Sequence, residues 1–208
     1  MDKTAGILYR GVGEEILRTF YRGREFLVLP GVYEPAEDTF LLAENLRVER
    51  GERVLELGTG CGILAVLAAE RGGKVVATDV SEEAIRCAWL NAWKHGVGRR
   101  VELRKGWLFE PVKKMKFDLI LFNPPYLPVE EEDPRWGGGK DGRKVLDPFL
   151  SSLSSHLSER GRALFVQSSL SGMGETLEKA RERGLGVRLL SSLRRFFEEL
   201  WVVEVRPF

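Results

Sequence analysis

The sequence predicts an α/β fold in which a mostly parallel β-sheet carries helices on both faces. From Arg53 onward, short apolar runs alternate with helical patterns, which is typical of βαβ units with right-handed crossovers. The 208 residues, 43% of them hydrophobic, suffice for one large domain with an ordinary core. The last two apolar runs have no helix between them, so the final strand is expected to run antiparallel.

The individual elements can be placed by their apolar runs and by the residues that start and stop helices. Strands are predicted in "RVLELG", "KVVATD", "VELRKG", "FDLILFN" and "RALFVQ", and two more in "VRLLSSLRRFFEELWVVEVRPF", joined by a turn or short helix. Helices are predicted in "ILAVLAAERG", ending at Gly72, and in "SEEAIRCAWLNAWKHG", capped by Ser81 and stopped by Gly96. Two further helices are predicted in "DPFLSSLSSHLSERG" and "GMGETLEKARERG".

Charge and composition argue against several classes of protein. Lys and Arg number 32 and Asp and Glu 31, and a net charge of +1 disfavours a surface built to hold nucleic acid. The two Cys and two His lack zinc-site spacing, and so few Cys favour a reduced, cytoplasmic compartment. No run has the length of a signal-peptide core or a membrane span. Three Asn and one Gln beside 30% charged residues follow a trend of thermophilic proteins.

Conspicuous residues follow the predicted strands at the end where parallel sheets bind ligands. The loop "ELGTGCG" places Gly58, Gly60 and Gly62 after the first strand, where glycine lets the backbone approach a ligand closely. The loop lacks the third glycine of a dinucleotide fingerprint and the lysine of a Walker loop. Glu56 needs a ligand or backbone partner if it is buried. Asp79 ends the second strand, where it could accept two ribose hydroxyls or, alternatively, cap the next helix.

The stretch "LFNPPYLP" ends the fourth predicted strand on Asn123, Pro124, Pro125 and Tyr126. A residue before proline is extended, and neither proline donates a backbone N–H. The side-chain carbonyl of Asn123 and the backbone carbonyl of Pro124 are therefore expected to lie close together and to accept both hydrogens of one –NH2 group. Tyr126 offers a flat face to a planar group. Such a clamp orients a weakly nucleophilic nitrogen toward an electrophilic methyl group, and positioning supplies much of the rate.

These motifs together resemble those of the class I S-adenosylmethionine-dependent methyltransferases. The spacing E-x-G-x-G-x-G resembles their first motif, and Asn-Pro-Pro-Tyr resembles the motif of members that methylate planar –NH2 groups of nucleobases or glutamine. The resemblance implies a Rossmann-like, seven-stranded, mostly parallel sheet with an antiparallel last strand, and S-adenosylmethionine as cofactor. It assigns cofactor contacts to Glu56, the three loop glycines, Asp79 and Asn123, and catalysis to Asn123, Pro124 and Tyr126, with no metal.

Two further stretches are similar to the release-factor glutamine methyltransferases, the HemK/PrmC family, in its short archaeal and eukaryotic branch. They are "GVYEPAEDTFLL", which also has the features of a helix start, and "WGGGKDGRKVLDPFL". The loop "VEEEDPRWGGGKDGRK" beside the motif is a candidate substrate lid. The resemblance gives cofactor contacts to Glu37, Asp38 and Thr39, and substrate contacts to Tyr33, Pro35, Pro125 and Tyr126.

The family resemblance also implies a substrate and a partner. The substrate is the glutamine in the Gly-Gly-Gln loop of a translation release factor, converted to N5-methylglutamine. The partner is a small zinc-binding activator that adds to the sheet edge, here Val101–Lys105, a strand equally compatible with a plain solvent edge. Residues 1–50 are expected to form an extension that packs on the core and borders the active site. Residues 51–208 are expected to form the methyltransferase domain, in one structural unit with the extension.

One position departs from the family pattern. Relatives usually have "GDLFEP", whose Asp contacts the cofactor adenine, whereas this chain has "GWLFEP" with Trp107. The indole has a donor but no acceptor, so three arrangements are open. Trp107 packs beside the adenine, a backbone carbonyl takes over the bond, or the ring points away toward a partner. An uncompensated loss would weaken cofactor binding by about 1–2 kcal/mol.

Other functions are weighed against this prediction. A nucleic-acid amine methyltransferase, acting on adenine N6, would use the same clamp. The net charge of +1, the expected absence of an added RNA- or DNA-binding domain and the string "VYEPAEDT" argue against it, and no stable nucleic-acid binding is expected. Relatives in the branch can also methylate lysine. A binding module that has lost its cofactor would explain Trp107, but not an intact Asn-Pro-Pro-Tyr motif. The sequence therefore predicts a protein-glutamine methyltransferase.

Overall fold

The computed structural model describes residues 15–129 and 137–208, and the first element in it is a β-hairpin. Strands β1 (Leu17–Tyr21) and β2 (Arg24–Val28) pair antiparallel. Arg22 and Gly23 form the turn with φ of 48° and 76°, and positive φ at both positions matches the twist of the flanking strands. Phe26 of β2 is fully buried in the main core. This hairpin is not among the strands predicted from the sequence.

The remaining elements follow the predicted alternation of strands and helices. The strands are β3 (Arg53–Leu57), β4 (Lys74–Asp79), β5 (Val101–Lys105), β6 (Phe117–Phe122), β7 (Leu157–Ser168), β8 (Leu185–Arg194) and β9 (Glu199–Pro207). The helices are α1 (Glu37–Asn45), α2 (Ile63–Glu70), α3 (Glu82–Lys94), α4 (Leu146–His156) and α5 (Met173–Glu182). As predicted, Ser81 caps α3, its hydroxyl accepting a hydrogen bond from the Ala84 N–H at 3.2 Å.

The large sheet has seven strands in the order β5-β4-β3-β6-β7-β9-β8. Strands β3 to β7 pair in parallel, and β9 runs antiparallel to both β7 and β8. The predicted fold class is confirmed, including the antiparallel last strand. The strand order reverses between β3 and β6, and the crevice at such a switch point is where open α/β sheets bind ligands.

Successive residues of the central strands bury their side chains on opposite faces of the sheet, as a period of two requires. On β3, Val54 belongs to the core cluster beneath α1, α2 and α3, whereas Leu55 belongs to the cluster beneath α4 and α5. Both side chains have no exposed surface. The sheet is therefore covered by helices on both faces, which leaves the loop ends of its strands free to form a cavity.

The fourth helix ends earlier than its sequence pattern predicts. The stretch "LSERG" was expected to complete it, but α4 stops at His156 and β7 begins at Leu157. Leu157 pairs with Phe117 across a register shift and is buried in the sheet. Gly161 lies so close to β6 that a Cβ would come within 2.7 Å of the Phe117 carbonyl. Tertiary pairing with β6 has thus overridden helical periodicity here.

The segment that follows the Asn-Pro-Pro-Tyr motif is held against it after residue 137. Gly142 has a φ of 71°, and a Cβ there would come within 2.3 Å of the Tyr126 carbonyl. The buried guanidinium of Arg143 donates to the carbonyls of Ser171 and Gly172 at 2.6 and 2.7 Å, and to Asp147 at 2.7 Å. Residues 130–136 of the predicted lid lie outside the described residues. Between 15 and 129 and from 137 onward, no helix combines the length and apolarity that crossing a bilayer requires.

Candidate active site

A cavity of about 430 Å³ opens at the carboxyl ends of β3, β4 and β6, with the start of α1 on one side. All but one of the predicted site residues line it: Tyr33, Pro35, Glu37, Asp38, Thr39, Glu56, Gly58, Gly60, Asp79, Trp107, Asn123, Pro124, Pro125 and Tyr126. The exception is Gly62, where an added Cβ would come within 2.8 Å of Ala88 on α3. Gly62 therefore allows α2 and α3 to pack closely and is not part of the cavity wall.

Glu56 occupies the floor of the cavity at the end of β3 and is 2% exposed. One of its carboxylate oxygens accepts hydrogen bonds from the Thr59 hydroxyl at 2.6 Å and the Ala65 N–H at 2.9 Å. Burial raises the pKa of Glu56 to about 8, and these two hydrogen bonds oppose the rise. The predicted backbone partner is present, and the carboxyl group is held rigidly at the start of α2.

Asp79 is fixed at the end of β4 by backbone amides on two sides. Its oxygens accept from the Gly60 N–H at 3.0 Å and the Ser81 N–H at 2.9 Å. Burial raises the pKa of Asp79, while these amide bonds counteract that effect. The cap of α3 is Ser81, so Asp79 is not needed in that role. Each carboxylate oxygen keeps a second acceptor position, which a ligand hydroxyl can use.

The side-chain amide of Asn123 is oriented by a chain of polar groups that begins at a carboxylate. Asp38 can only accept hydrogen bonds, so the Thr39 hydroxyl, 3.2 Å away, donates its single proton to it. The same hydroxyl must then accept from the –NH2 group of Asn123, 3.0 Å away. This arrangement leaves the Asn123 carbonyl oxygen facing away from Thr39. That oxygen is buried and accepts no hydrogen bond from the part of the chain that the structure describes.

An unpartnered buried carbonyl is costly, and it marks a place where a donor is expected to bind. The Pro124 carbonyl follows Asn123 directly and likewise accepts no hydrogen bond within residues 15–129 and 137–208. Both residues line the cavity. The two acceptors and the cavity together suit a group that donates two hydrogens, such as a planar –NH2.

Asp38 also anchors the two tyrosines of the site. Its carboxylate, on a residue 4% exposed, accepts from the hydroxyls of Tyr33 at 2.8 Å and Tyr126 at 3.2 Å, and from the Thr39 N–H at 2.5 Å. Burial and the neighbouring Asp38 charge raise the pKa of both phenols, so both remain protonated donors. The cofactor contact expected of Asp38 stays a prediction, and Asp38 lines the cavity. Its partners within the chain are residues that shape the clamp.

Trp107 lies where the cavity meets solvent. It follows β5, lines the cavity and is 43% exposed. Val80, after β4, lines the same region and is 46% exposed. These two side chains form an apolar rim at the end of the cavity near Asp79. A planar ligand group next to Asp79 would bury both side chains.

Two charged residues of the cavity wall were missed by the sequence analysis. Arg195 and Glu198 come from the turn between β8 and β9 and line the cavity. Arg195 forms an ion pair with Glu37 at the start of α1. Glu198 accepts a hydrogen bond from the Ser168 hydroxyl at 2.5 Å. Strand alternation predicted the turn, but no local pattern indicates that it reaches the site.

Comparison with known proteins identifies relatives over most of the chain. The family model of the methyltransferase small domain matches residues 24–184. A Methanocaldococcus jannaschii protein named "Putative protein N5-glutamine methyltransferase" is 40% identical over 182 residues, covering 84% of this chain and 91% of that one. The release factor glutamine methyltransferase of Geobacter sulfurreducens is 39% identical over 171 residues, covering 74% of this chain and 59% of that one.

A solved structure extends the comparison to a complex. It is the E. cuniculi Mtq2–Trm112 complex, described as responsible for methylation of the eRF1 translation termination factor. The matching chain has a TM-score of 0.64 and 27% sequence identity, and the match covers 86% of this chain and 99% of that chain.

Proposed function

The chain belongs to the methyltransferase small domain family and, within it, to the HemK/PrmC glutamine methyltransferases, and from this premise we propose that it methylates a release factor. It is an S-adenosylmethionine-dependent N-methyltransferase. The proposed acceptor is the side-chain amide nitrogen of the glutamine in a Gly-Gly-Gln loop. The observation that carries this proposal is the buried carbonyl oxygen of Asn123, which has no partner among the described residues, followed in the chain by the unpaired carbonyl of Pro124.

The names of the relatives support a glutamine acceptor. Proteins over 30% identical to this chain are named for glutamine methylation of release factors, and one for ribosomal protein uL3. A glutamine amide has the planar –NH2 that two fixed carbonyls can hold. Lysine and adenine nitrogens are the competing acceptors, and the assay below tests them directly.

The residues around the cavity fit the proposed cofactor. When bound, S-adenosylmethionine supplies a methyl group on a positively charged sulfur, which is an activated electrophile. The backbone at Gly58 and Gly60 leaves room for close approach, and Asp79 keeps acceptor positions for ribose hydroxyls. Trp107 and Val80 offer apolar surface for the adenine. Glu56 helps to form the cavity floor and holds the start of the loop through Thr59.

The clamp explains how a weak nucleophile could react. In the proposed arrangement Asn123 and Pro124 accept the two amide hydrogens, which orients the nitrogen lone pair toward the methyl group. Their dipoles also favour the positive charge that develops on nitrogen as the bond forms. Asp38 and Thr39 fix the amide of Asn123, and Tyr126 supplies a flat wall. The proton can leave after methyl transfer, so no strong base is required beforehand.

We also propose that a small partner protein binds at the β5 edge of the sheet. Strand β5 pairs only with β4 and leaves its other edge open within the described residues. The neighbouring helix α3 exposes Trp89 and Trp93, at 45% and 49%, with ring centroids 6.1 Å apart. An open strand edge beside exposed aromatic side chains suits strand addition with apolar cover. The partner is expected to be a small zinc-binding activator.

The substrate is tested by competition between acceptors. Methyl-labelled S-adenosylmethionine is supplied with purified release factor, ribosomal protein uL3, bulk RNA and bulk DNA, with and without the partner protein. We expect label in the release factor, located by mass spectrometry at the glutamine nitrogen. Label that enters nucleic acid or uL3 but never the release factor would refute the proposal, and so would label on a lysine of the release factor in place of its glutamine.

Two variants separate the clamp from the cofactor site. Asn123→Ala should abolish methyl transfer, because it removes the acceptor that orients the target nitrogen, while the Kd for S-adenosylmethionine changes little. Asp79→Ala should instead raise that Kd, because it removes the ribose acceptor. Calorimetry measures both constants. Unchanged turnover in the first variant, or an unchanged Kd in the second, would rule out the corresponding role.

A further inference from the structure

Two phenylalanines project from the turn between β8 and β9 with almost no cover. Phe196 is 95% exposed and Phe197 is 84% exposed. Their rings contact each other edge to face, with centroids 5.1 Å apart and planes at 70°. A buried phenylalanine stabilises a fold by about 1.5–3 kcal/mol, and neither ring contributes this to the chain itself. Paired, exposed aromatic rings are typical of surfaces that bind another molecule.

The turn that carries these rings is fixed on both sides. Its backbone closes with the Arg195 N–H donating to the Glu198 carbonyl at 2.8 Å. Arg195 pairs with Glu37 of α1, and Glu198 accepts from Ser168 at the end of β7. The Glu199 N–H donates to the Ser169 hydroxyl at 3.0 Å. The ion pair and hydrogen bonds of the neighbours therefore hold the phenylalanines outward, so exposure is built into this turn.

The same turn forms part of the cavity mouth. Arg195 and Glu198, which flank the phenylalanine pair, both line the cavity that contains Asn123. A glutamine amide nitrogen lies only four bonds, about 5 Å, from its own α-carbon. A protein backbone that delivers this nitrogen to Asn123 must therefore rest on the mouth of the cavity. A protein larger than the glutamine loop then extends over the rim, where Arg195 and Glu198 flank the two phenylalanines.

From this continuity we propose that Phe196 and Phe197 dock an apolar patch of the substrate protein next to its glutamine loop. The inference rests on the proposed function and names a second contact made by the same substrate. An aromatic pair bordered by charged residues, here Arg194, Arg195 and Glu198, has the composition of an interface centre with a polar rim. A free nucleotide or a short peptide would fit the cavity without covering either ring.

The test compares an intact substrate protein with a short peptide. The double variant Phe196→Ala/Phe197→Ala is assayed on the release factor and on a peptide that contains only its Gly-Gly-Gln loop. We expect KM for the release factor to rise at least about tenfold, equivalent to 1.4 kcal/mol, with kcat nearly unchanged. KM for the peptide and the Kd for S-adenosylmethionine should stay within about twofold, since neither involves the rings.

A matched control lies at the other end of the same two strands. Phe208 is 88% exposed and follows β9, about 30 Å along the strand from the turn. Phe208→Ala removes an equally exposed ring, so it should leave KM for the release factor unchanged. If KM for the release factor rises equally in the control, the effect comes from the loss of any exposed aromatic ring, and the docking role is overturned.

The remaining outcomes are distinguishable. If the wild type and the double variant methylate the release factor with the same KM, the docking role is wrong and the proposed function still stands. A wild-type enzyme that never methylates the release factor overturns the proposed function, and this docking role with it. Sedimentation of the free enzyme supplies the last arm. A wild-type dimer that the double variant dissociates would assign the rings to a second copy of the chain and refute substrate docking.

Discussion

Replacing Thr39 by valine tests the chain of polar groups that orients Asn123. Valine has nearly the shape of threonine but has no hydroxyl. The substitution removes the acceptor for the Asn123 –NH2 at 3.0 Å and the donor to Asp38 at 3.2 Å. Because Thr39 is 5% exposed, water cannot easily replace the lost hydroxyl. The amide of Asn123 is then free to rotate and to present its own donors to the target nitrogen.

The size of the effect follows from one unsatisfied polar group. Leaving a buried donor without its partner costs about 1–3 kcal/mol. If this cost falls on the arrangement that orients the target nitrogen, kcat should fall roughly 5- to 150-fold, since about 1.36 kcal/mol corresponds to a factor of ten. The affinity for the protein substrate should change less, because most of that contact lies outside the cavity.

The assay is steady-state methylation of the release factor, with the Kd for S-adenosylmethionine measured separately by calorimetry. Thr39→Ser keeps the hydroxyl and is the matched control, so it should retain most of the wild-type kcat. A Thr39→Val enzyme with the wild-type kcat would refute the orienting role of the hydroxyl. An equal loss of kcat in both variants would show that the methyl group of Thr39, and not its hydroxyl, matters.

Three further predictions concern stability. Asn91→Ala removes hydrogen bonds of 2.8–2.9 Å that join α3 to the Leu27 backbone and the Cys61 carbonyl. The free energy of unfolding should fall by about 3 kcal/mol, which corresponds to a decrease in Tm of roughly 6–12 °C. Glu56→Gln should flatten the dependence of Tm on pH between about 4.5 and about 8. Because the pKa of Glu56 is higher in the folded than in the unfolded chain, protonation of this group favours folding. Its contribution to the free energy of unfolding is complete below pH 4.5, the ordinary pKa of a glutamate, and is lost as the pH rises through about 8. Gly62→Ala should lower the Tm through the 2.8 Å clash with Ala88, whereas Gly174→Ala, with open space around it, should not.

Calorimetric scans of the ligand-free protein check all three. Arg86→Ala, an exposed position on the same helix, is the control for Asn91 and should leave the Tm within about 1 °C. A Tm for Asn91→Ala equal to that control, a pH slope for Glu56→Gln equal to that of the wild type, or a Gly62→Ala protein as stable as Gly174→Ala would each contradict its prediction.

The strands, the glycine loop and the Asn-Pro-Pro-Tyr turn could be predicted because their causes are local. Alternating apolar runs specify buried strands, and proline restricts the residue before it. Position after a strand places Glu56, Asp79 and Asn123 at one edge of a parallel sheet. The prediction went wrong after His156, where helical periodicity continues but pairing of Leu157 with Phe117 extends a strand instead. Long-range pairing outweighed the local preference there.

The sequence by itself determined the class of fold and the cavity residues that follow β3, β4 and β6, because glycine, proline and apolar spacing act on neighbouring residues. Only the tertiary structure joined Thr39 to Asn123, 84 residues apart, and thereby decided which end of the amide faces away as an acceptor. It also brought Arg195 to Glu37 across 158 residues and exposed Phe196 and Phe197 on the turn whose Arg195 and Glu198 line the cavity. Such contacts depend on sheet register and on how α1 packs beside β8 and β9, and these are properties of the whole folded chain.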